Sequence, residues 1–487
     1  MMLRLAHRPS IVKASSIRAA RCLATAAAER TTRTPKAEGS IGDVFSSLSG
    51  EISQPLPTRF SDLKKELFTD VLINSWKEVL KELEVAVEEV ATRGSDILPR
   101  VAYADVAKGL SEDQKAEIKK RGAVVVDGGV SAEEALRWKQ EARDYVAANK
   151  DRVKGFPSDN IQVYEIYNSS AQTQARTHPA LIETQRALLE LWHTSNPATR
   201  VSMRSPISYY DRFRIRLPGD RVFTLGPHID GGSLERWEDP NYRRCWSNIL
   251  SGKWREHDPF DVSPRIGAKQ DLYHGTSQCS VFRPWQGWTS LSPTGPGEGT
   301  LRVCPLLPLA TTYLILRPFF RPRTSSSGLD DWVVDLEDTT FPGSGMGKGQ
   351  ELNEATHPHL QLGRTMVSVP KMEPGTQVYW HCDTIHAVES IHNGPVDSSV
   401  FYIPAVPLTD YNAEYLRDQR TNFIAGLPAP DFPGGEGESH FVQRGGVWNA
   451  HDEEGQRLLG FKMFQVPAYA SPAERSVIER ANDVLFR

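Results

Sequence analysis

From Val201 onward the chain changes texture, and that change constrains its fold more than any other feature. Short runs rich in β-branched and aromatic residues follow one another, with glycine and proline between them. Residues 209–217, 220–225, 278–291, 300–303, 365–369, 375–380 and 400–403 each read as a strand. Pro218-Gly219-Asp220 and Pro374-Gly375 supply turns, because proline presets the first turn dihedral and glycine tolerates the second. Many short strands must close on one another to bury their apolar faces. The expected fold is therefore mainly β with flanking helices: a double-stranded β-helix (jelly roll, cupin-like) between N-terminal and C-terminal helical segments.

The flanks read as helix. Over residues 62–92, Leu63, Leu67, Val71, Leu72, Trp76, Leu80, Leu83 and Val87 recur at three- and four-residue steps, and Gly94 is a stop signal. A charged helix is expected over 111–121, then a buried strand over 122–127. Ser131 and Glu134 form a capping box that opens another helix. After Thr409 the pattern returns to helix over 412–423 and 471–486. Residues 321–359, rich in Gly, Ser, Asp and Thr, read as an insertion. These readings give one domain over 57–487, with a helical region (57–200), a strand core (201–408) and a helical end (409–487).

The start of the chain reads differently. Residues 1–28 contain no acidic side chain, while Arg4, Arg8, Lys13, Arg18 and Arg21 recur among Ala, Leu, Ile and Ser. This is the composition of a mitochondrial presequence, so residues 1–23 are expected to be a targeting peptide removed in the matrix. Residues 24–56 read as a flexible lead-in. No apolar run reaches the roughly 18 residues of a membrane span. A formal net charge of -4 argues against nucleic acid as a partner. Five scattered cysteines without a C-x-x-C pair argue against a disulfide framework and a zinc-thiolate site.

The chemistry is carried by Leu225-Gly-Pro-His228-Ile-Asp230. In extended chain, residues i and i+2 project from one face, so one imidazole and one carboxylate can grip one metal ion. A second histidine from a later strand would complete a facial triad, which leaves three octahedral positions open and suits non-haem Fe(II) oxygenases. His-x-Asp alone is a weak signal: among 13 histidines roughly one match arises by chance, and His381-Cys382-Asp383 is a second. Strands enough to build a barrel follow His228, but only one follows Asp383. His228, Asp230 and His386 are therefore the expected ligands, with His381 as competitor. Trp237, Trp246, Trp254, Trp285 and Trp288 are candidates for core or for a substrate frame.

These residues carry a resemblance. The sequence resembles the iron(II)/2-oxoglutarate-dependent dioxygenase superfamily near its phytanoyl-CoA and clavaminate-synthase-like branch, and more nearly the uncharacterised YbiU-like family of bacteria and fungi. The matching runs are Arg-Leu-Pro-Gly-Asp at 216–220, Leu-Gly-Pro-His-Ile-Asp-Gly-Gly at 225–232, Gln-Gly-Trp at 286–288 and Gly-Glu-Gly-Thr-Leu at 297–301. They continue through Tyr-Trp-His-Cys-Asp at 379–383, His386-Ala-Val-Glu389 and Pro-Asp-Phe-Pro at 430–433. The resemblance implies Fe(2+) and 2-oxoglutarate as cofactors, dioxygen and a small organic molecule as substrates, and succinate and carbon dioxide as products.

One departure stands out. Much of the superfamily places a basic residue after the closing histidine for the far carboxylate of 2-oxoglutarate, yet residues 387–416 contain no Lys or Arg. A buried carboxylate wants a cationic partner, best a forked guanidinium. Arg214 and Arg216 alternate with Phe213, Ile215 and Leu217 and can face the interior; Arg302 is a further candidate. Two other readings stay open: a metal-dependent isomerase or hydrolase on the same barrel, and a barrel that binds a metabolite without turnover.

Overall fold

Two helices, Arg59–Leu67 and Val71–Arg93, stand where one continuous helix was expected. The break falls at Phe68, whose backbone turns extended while its ring lies 6.0 Å from that of Phe319. The longer helix buries Leu72, Trp76, Val79, Leu83, Val87 and Val90 along one stripe and stops at Gly94. Trp76 stacks on Phe320 at 4.6 Å and on Tyr313 at 5.3 Å. Truncating such a buried ring typically costs about 3–5 kcal/mol. Tyr313 belongs to Leu307–Leu316, a helix apolar on every side and accordingly buried. This computed structural model describes residues 36–50, 55–221, 224–324, 328–432 and 434–487. The expected targeting segment, 1–23, lies outside them. None of the helices is long and apolar enough to cross a membrane, among the described residues.

The strands, in chain order, begin with β1 (Arg100–Ala102), β2 (Ala123–Asp127), β3 (Gly155–Phe156), β4 (Val163–Tyr164), β5 (Val201–Ile207) and β6 (Phe213–Arg216). Next come β7 (His228–Ile229), β8 (Trp285–Ser290), β9 (Leu301–Val303), β10 (Phe320–Pro322), β11 (Trp332–Val334) and β12 (Gln350–Glu351). The last are β13 (Val367–Ser368), β14 (Gln377–His381), β15 (His386–Val388), β16 (Ser398–Tyr402) and β17 (Val406–Thr409). An eight-stranded sheet runs β1-β2-β14-β8-β16-β6-β4-β3, and a five-stranded sheet runs β12-β7-β15-β9-β13. From β6 to β9, and again from β14 to β16, successive strands alternate between the two sheets. Side chains of both sheets line one cavity.

The chain is not mainly β. About 39% of the described residues are helical and 15% strand, because the strands are short and the connections between them carry helical turns of their own. The run 209–217 narrows to β6, which is the part that finds partners: Phe213–Arg216 pair with Ser398–Phe401. No strand forms among the described residues of 220–225; Asp220 instead binds Arg216. The stretch 321–359 is more than an excursion, since β12 forms the edge of the five-stranded sheet beside β7. The expected helices after Thr409 form as Asp410–Ala425 and Pro472–Phe486, and both pack on the β5–β17 ladder.

Candidate metal centre

His228 opens β7, and His386 opens β15. The two strands are adjacent and the two histidines are register partners, so residues far apart in sequence meet with ring centroids 4.0 Å apart. After Asp230 the chain turns away at Gly231 and Gly232, both with positive φ. A Cβ at Gly231 would meet the end of the Gln270 side chain, and the Gly231 φ of +80° is one that other residues rarely adopt. Arg236 donates to the carbonyls of Asp230 and Gly232 and fixes this turn.

Each imidazole is aimed by a backbone carbonyl. His228 Nδ1 lies 2.8 Å from Gly226 O, and His386 Nδ1 lies 3.0 Å from Thr384 O. Those contacts leave both Nε2 atoms facing Asp230. His228 Nε2 stands 3.8 Å from Asp230 Oδ1, and His386 Nε2 stands 3.7 Å from Oδ2. Three donors on one octahedral face, with bonds of about 2.1 Å, would be roughly 3 Å apart. Each of these two imidazole–carboxylate gaps exceeds that spacing by less than about 1 Å.

The protonation states suit ligation. Burial pushes the His386 imidazole down to about 3, with His228 adding to the effect and Asp230 opposing it. Burial works against ionisation of Asp230, but His228, His386 and Arg283 outweigh it and hold the carboxyl below its ordinary range. A neutral imidazole and a carboxylate are the forms a metal takes. The opposite arrangement holds at His381-Cys382-Asp383, which also clusters closely. There His381 Nε2 meets Pro259 O at 3.1 Å, Nδ1 accepts from the Asp383 amide at 3.0 Å, and the ring stacks on Trp192. Asp383 pairs with Arg265, both being almost fully buried. Burial alone would raise Asp383, but Arg265 holds it down at about 2. With its ring nitrogens engaged, His381 is a packing residue beneath the bend that delivers His386.

The three candidate ligands open onto a cavity that is continuous with solvent. Trp288 and Trp380, at right angles with centroids 5.8 Å apart, wall one side. Trp237, Trp246, Trp254 and Trp285 belong to the core.

Of the expected arginines, Arg214 alone lines the cavity, buried at 4% exposure. Its neighbours Phe213 and Ile215 pack beneath the helices Ala132–Ala148 and Ser170–Arg176, as the alternation predicts; Leu217 is exposed instead. Arg216 is committed elsewhere: its Nε donates to Asp220 at 2.7 Å, and its terminal nitrogens donate to the carbonyls of Glu389, Ser390 and Asp220. Arg302 donates to Met366 O at 2.6 and 3.1 Å, away from the cavity. Two cavity cations went unread in the sequence. Arg283 reaches Asp230 at 3.4 Å and Asp211 at 3.7 Å, and Arg212 pairs with Asp211 at 3.0 Å. Arg212 stood in the same alternating run; nothing local marks Arg283.

Comparison with known proteins gives a consistent picture. The Gig2-like family pattern matches residues 54–461. The Escherichia coli K12 protein named Uncharacterized protein YbiU is 34% identical over 388 residues, covering 77% of this chain and 88% of that one. The crystal structure of GlcNAc Inducible Gene 2 from Candida albicans superposes with a TM-score of 0.81 at 30% identity, over 89% of this chain and 96% of that one. A hypothetical protein from Escherichia coli superposes with a TM-score of 0.72, also at 30% identity, over 84% of this chain and 100% of its own.

Proposed function

This chain belongs to the Gig2-like family, and from that premise we propose that it is an iron(II)- and 2-oxoglutarate-dependent dioxygenase that hydroxylates or demethylates a small organic molecule. The observation that carries the proposal is the donor set: two imidazoles, each oriented by a carbonyl, and one ionised carboxylate facing a cavity continuous with solvent. The alternation of strands between two sheets around that cavity supports a jelly-roll (cupin-like) barrel. His228, Asp230 and His386 would hold the iron. When bound, iron and 2-oxoglutarate supply an oxidant derived from dioxygen, with succinate and carbon dioxide as co-products.

The protein's own groups divide the remaining tasks. Arg214 supplies a buried guanidinium for the far carboxylate of 2-oxoglutarate. Asp230 and Asp211 face three guanidiniums in the cavity wall, Arg212, Arg214 and Arg283, so the wall is already cationic before a dication is added. An anionic 2-oxo acid would offset that excess. Trp288 and Trp380 exclude water from one side of His386, whose ring lies 5.2 Å from Trp380. A hydrolase or isomerase would need a general base. Among the described residues the carboxylates lining the cavity are Asp230, a ligand, and Asp211, which Arg212 and Arg283 hold.

The test is anaerobic titration of the ferrous protein with 2-oxoglutarate. A metal-to-ligand charge-transfer band is expected in the visible spectrum. Asp230→Ala should lose iron and band together, since two neutral imidazoles cannot offset a dication, while circular dichroism stays unchanged. Iron bound without a band would sink the 2-oxoglutarate assignment. Full iron in a folded Asp230→Ala protein would sink the ligand set.

A further inference from the structure

Residues 36–50 precede the stretch that the family pattern matches, yet they build one wall of the cavity. Two single helical turns, Ile41–Val44 and Ser46–Ser49, are joined at Phe45, whose backbone is extended. Ile41, Val44 and Phe45 all line the cavity. The Phe45 side chain is 3% exposed and sets its edge against His228, with centroids 4.9 Å apart and planes at 75°.

The segment is tied down at its start and at its middle by polar contacts. Lys36 Nζ donates to Asp271 at 2.8 Å, Gly275 O at 2.9 Å and Gln278 O at 2.6 Å. The Gly349 amide donates to Val44 O at 2.9 Å, and Lys348 Nζ to Asp43 O at 2.8 Å. Gly349 sits so close that a Cβ there would meet the Phe45 ring at 2.7 Å. Between these ties the apolar contacts are few. Val44, Phe45 and Leu225, with Ile41 and Leu48, form a cluster of their own, separate from the main core. The wall is thus placed by side-chain and edge contacts, on a patch that the core does not stabilise.

We propose that residues 36–50 form a strap completing the site, and that Phe45 is a specificity-determining residue that limits the size of molecule able to reach the metal. The proposal rests on the metal-centre reading given above. Phe45 stands beside one ligand, where a substrate approaching the open coordination positions must pass or pack. The ring is rigid and apolar, so it favours an apolar surface and rejects bulk through contact.

The experiment uses the full chain loaded with cobalt(II), whose visible spectrum reports added ligands. Azide is the small probe and 4-phenylimidazole the bulky one. In Phe45→Ala, affinity for 4-phenylimidazole should rise at least tenfold, while azide stays within twofold of the parent. Phe45→Leu, which keeps an apolar anchor, should move the same way by less. Equal 4-phenylimidazole affinity in parent and both variants overturns the proposal. If the parent takes up no cobalt, the metal reading fails instead, and the strap is judged on the metal-free chain. There Cys279, a buried residue of the cavity wall, is labelled with N-ethylmaleimide and mapped by mass spectrometry. Its rate should rise at least fivefold in Phe45→Ala and in Lys36→Ala. Unchanged rates overturn the strap.

Discussion

Arg214 and Arg216 point to the same side of one strand and have opposite surroundings. Arg214 borders the proposed metal ligands, whereas Arg216 is locked onto Asp220 and backbone carbonyls. The two substitutions should therefore part company. Arg214→Ala should weaken 2-oxoglutarate binding at least about tenfold, a loss of 1.4 kcal/mol or more, with iron content intact. Lysine there should rescue only in part, because an ammonium cannot fork onto two oxygens. Arg216→Ala should instead lower stability by roughly 3–5 kcal/mol, since it removes a buried guanidinium that binds the Asp220 carboxylate and the carbonyls of Glu389, Ser390 and Asp220. Isothermal titration beside urea unfolding separates them; unaltered binding in Arg214→Ala would move the contact to Arg212 or Arg283. At this scale the sequence was informative wherever period-two alternation applies, as at His228, Asp230 and Arg214. It was silent on Arg283, whose role comes from a loop folding back across the cavity. It could not distinguish Arg214 from Arg216 either, because alternation gives the face and not how far along the strand the cavity extends.

Elements were legible by type and less so by length. The capped helices start where Ser111 and Ser131 predict, and the strand after Gly122 forms as β2. Strand lengths were overestimated, because a β-rich run becomes a ladder only where a partner lies alongside. Pairing of that kind is non-local, and β12 shows the cost: nothing in Gln350-Glu351 announces a partner at His228-Ile229. The loop after Asp410–Ala425 carries another unread tie. Glu438 accepts from Tyr145 Oη at 2.8 Å and from the Tyr167 and Asn168 amides, fastening that loop to the helix Ala132–Ala148. Burial lifts its carboxyl to about 6 against these donors. A folded value above the ordinary 4.5 means that the native state holds the proton more tightly. The contribution of Glu438 to stability should then be greatest below about pH 4.5 and fall as pH rises through 6, by on the order of 2 kcal/mol. Urea unfolding between pH 4.5 and 7 should show this fall in the parent relative to Glu438→Gln; parallel pH profiles for the two would refute it.

For the whole molecule, the proposed metal centre is a junction. It joins β7 to β15 and, through Asp230, to the turn leading away toward β8. An ion bound only by the native state should add about 2.7 kcal/mol of stability at a hundred times its dissociation constant. Anaerobic ferrous iron should accordingly raise the urea midpoint of the parent and leave that of Asp230→Ala where it was. An equal rise in both would place the ion elsewhere.

The register pairing of His228 with His386 also has a consequence during synthesis. The ribosome releases His228 and Asp230 long before it releases His386, and an isolated imidazole–carboxylate pair is a poor trap for a dication. Both strands must then find each other across the intervening helices and loops before the third donor arrives. If these three residues hold the metal as proposed, the nascent chain lacks the complete donor set until His386 has emerged and paired. On the proposed ligand set, an ion is held only once β15 has paired with β7.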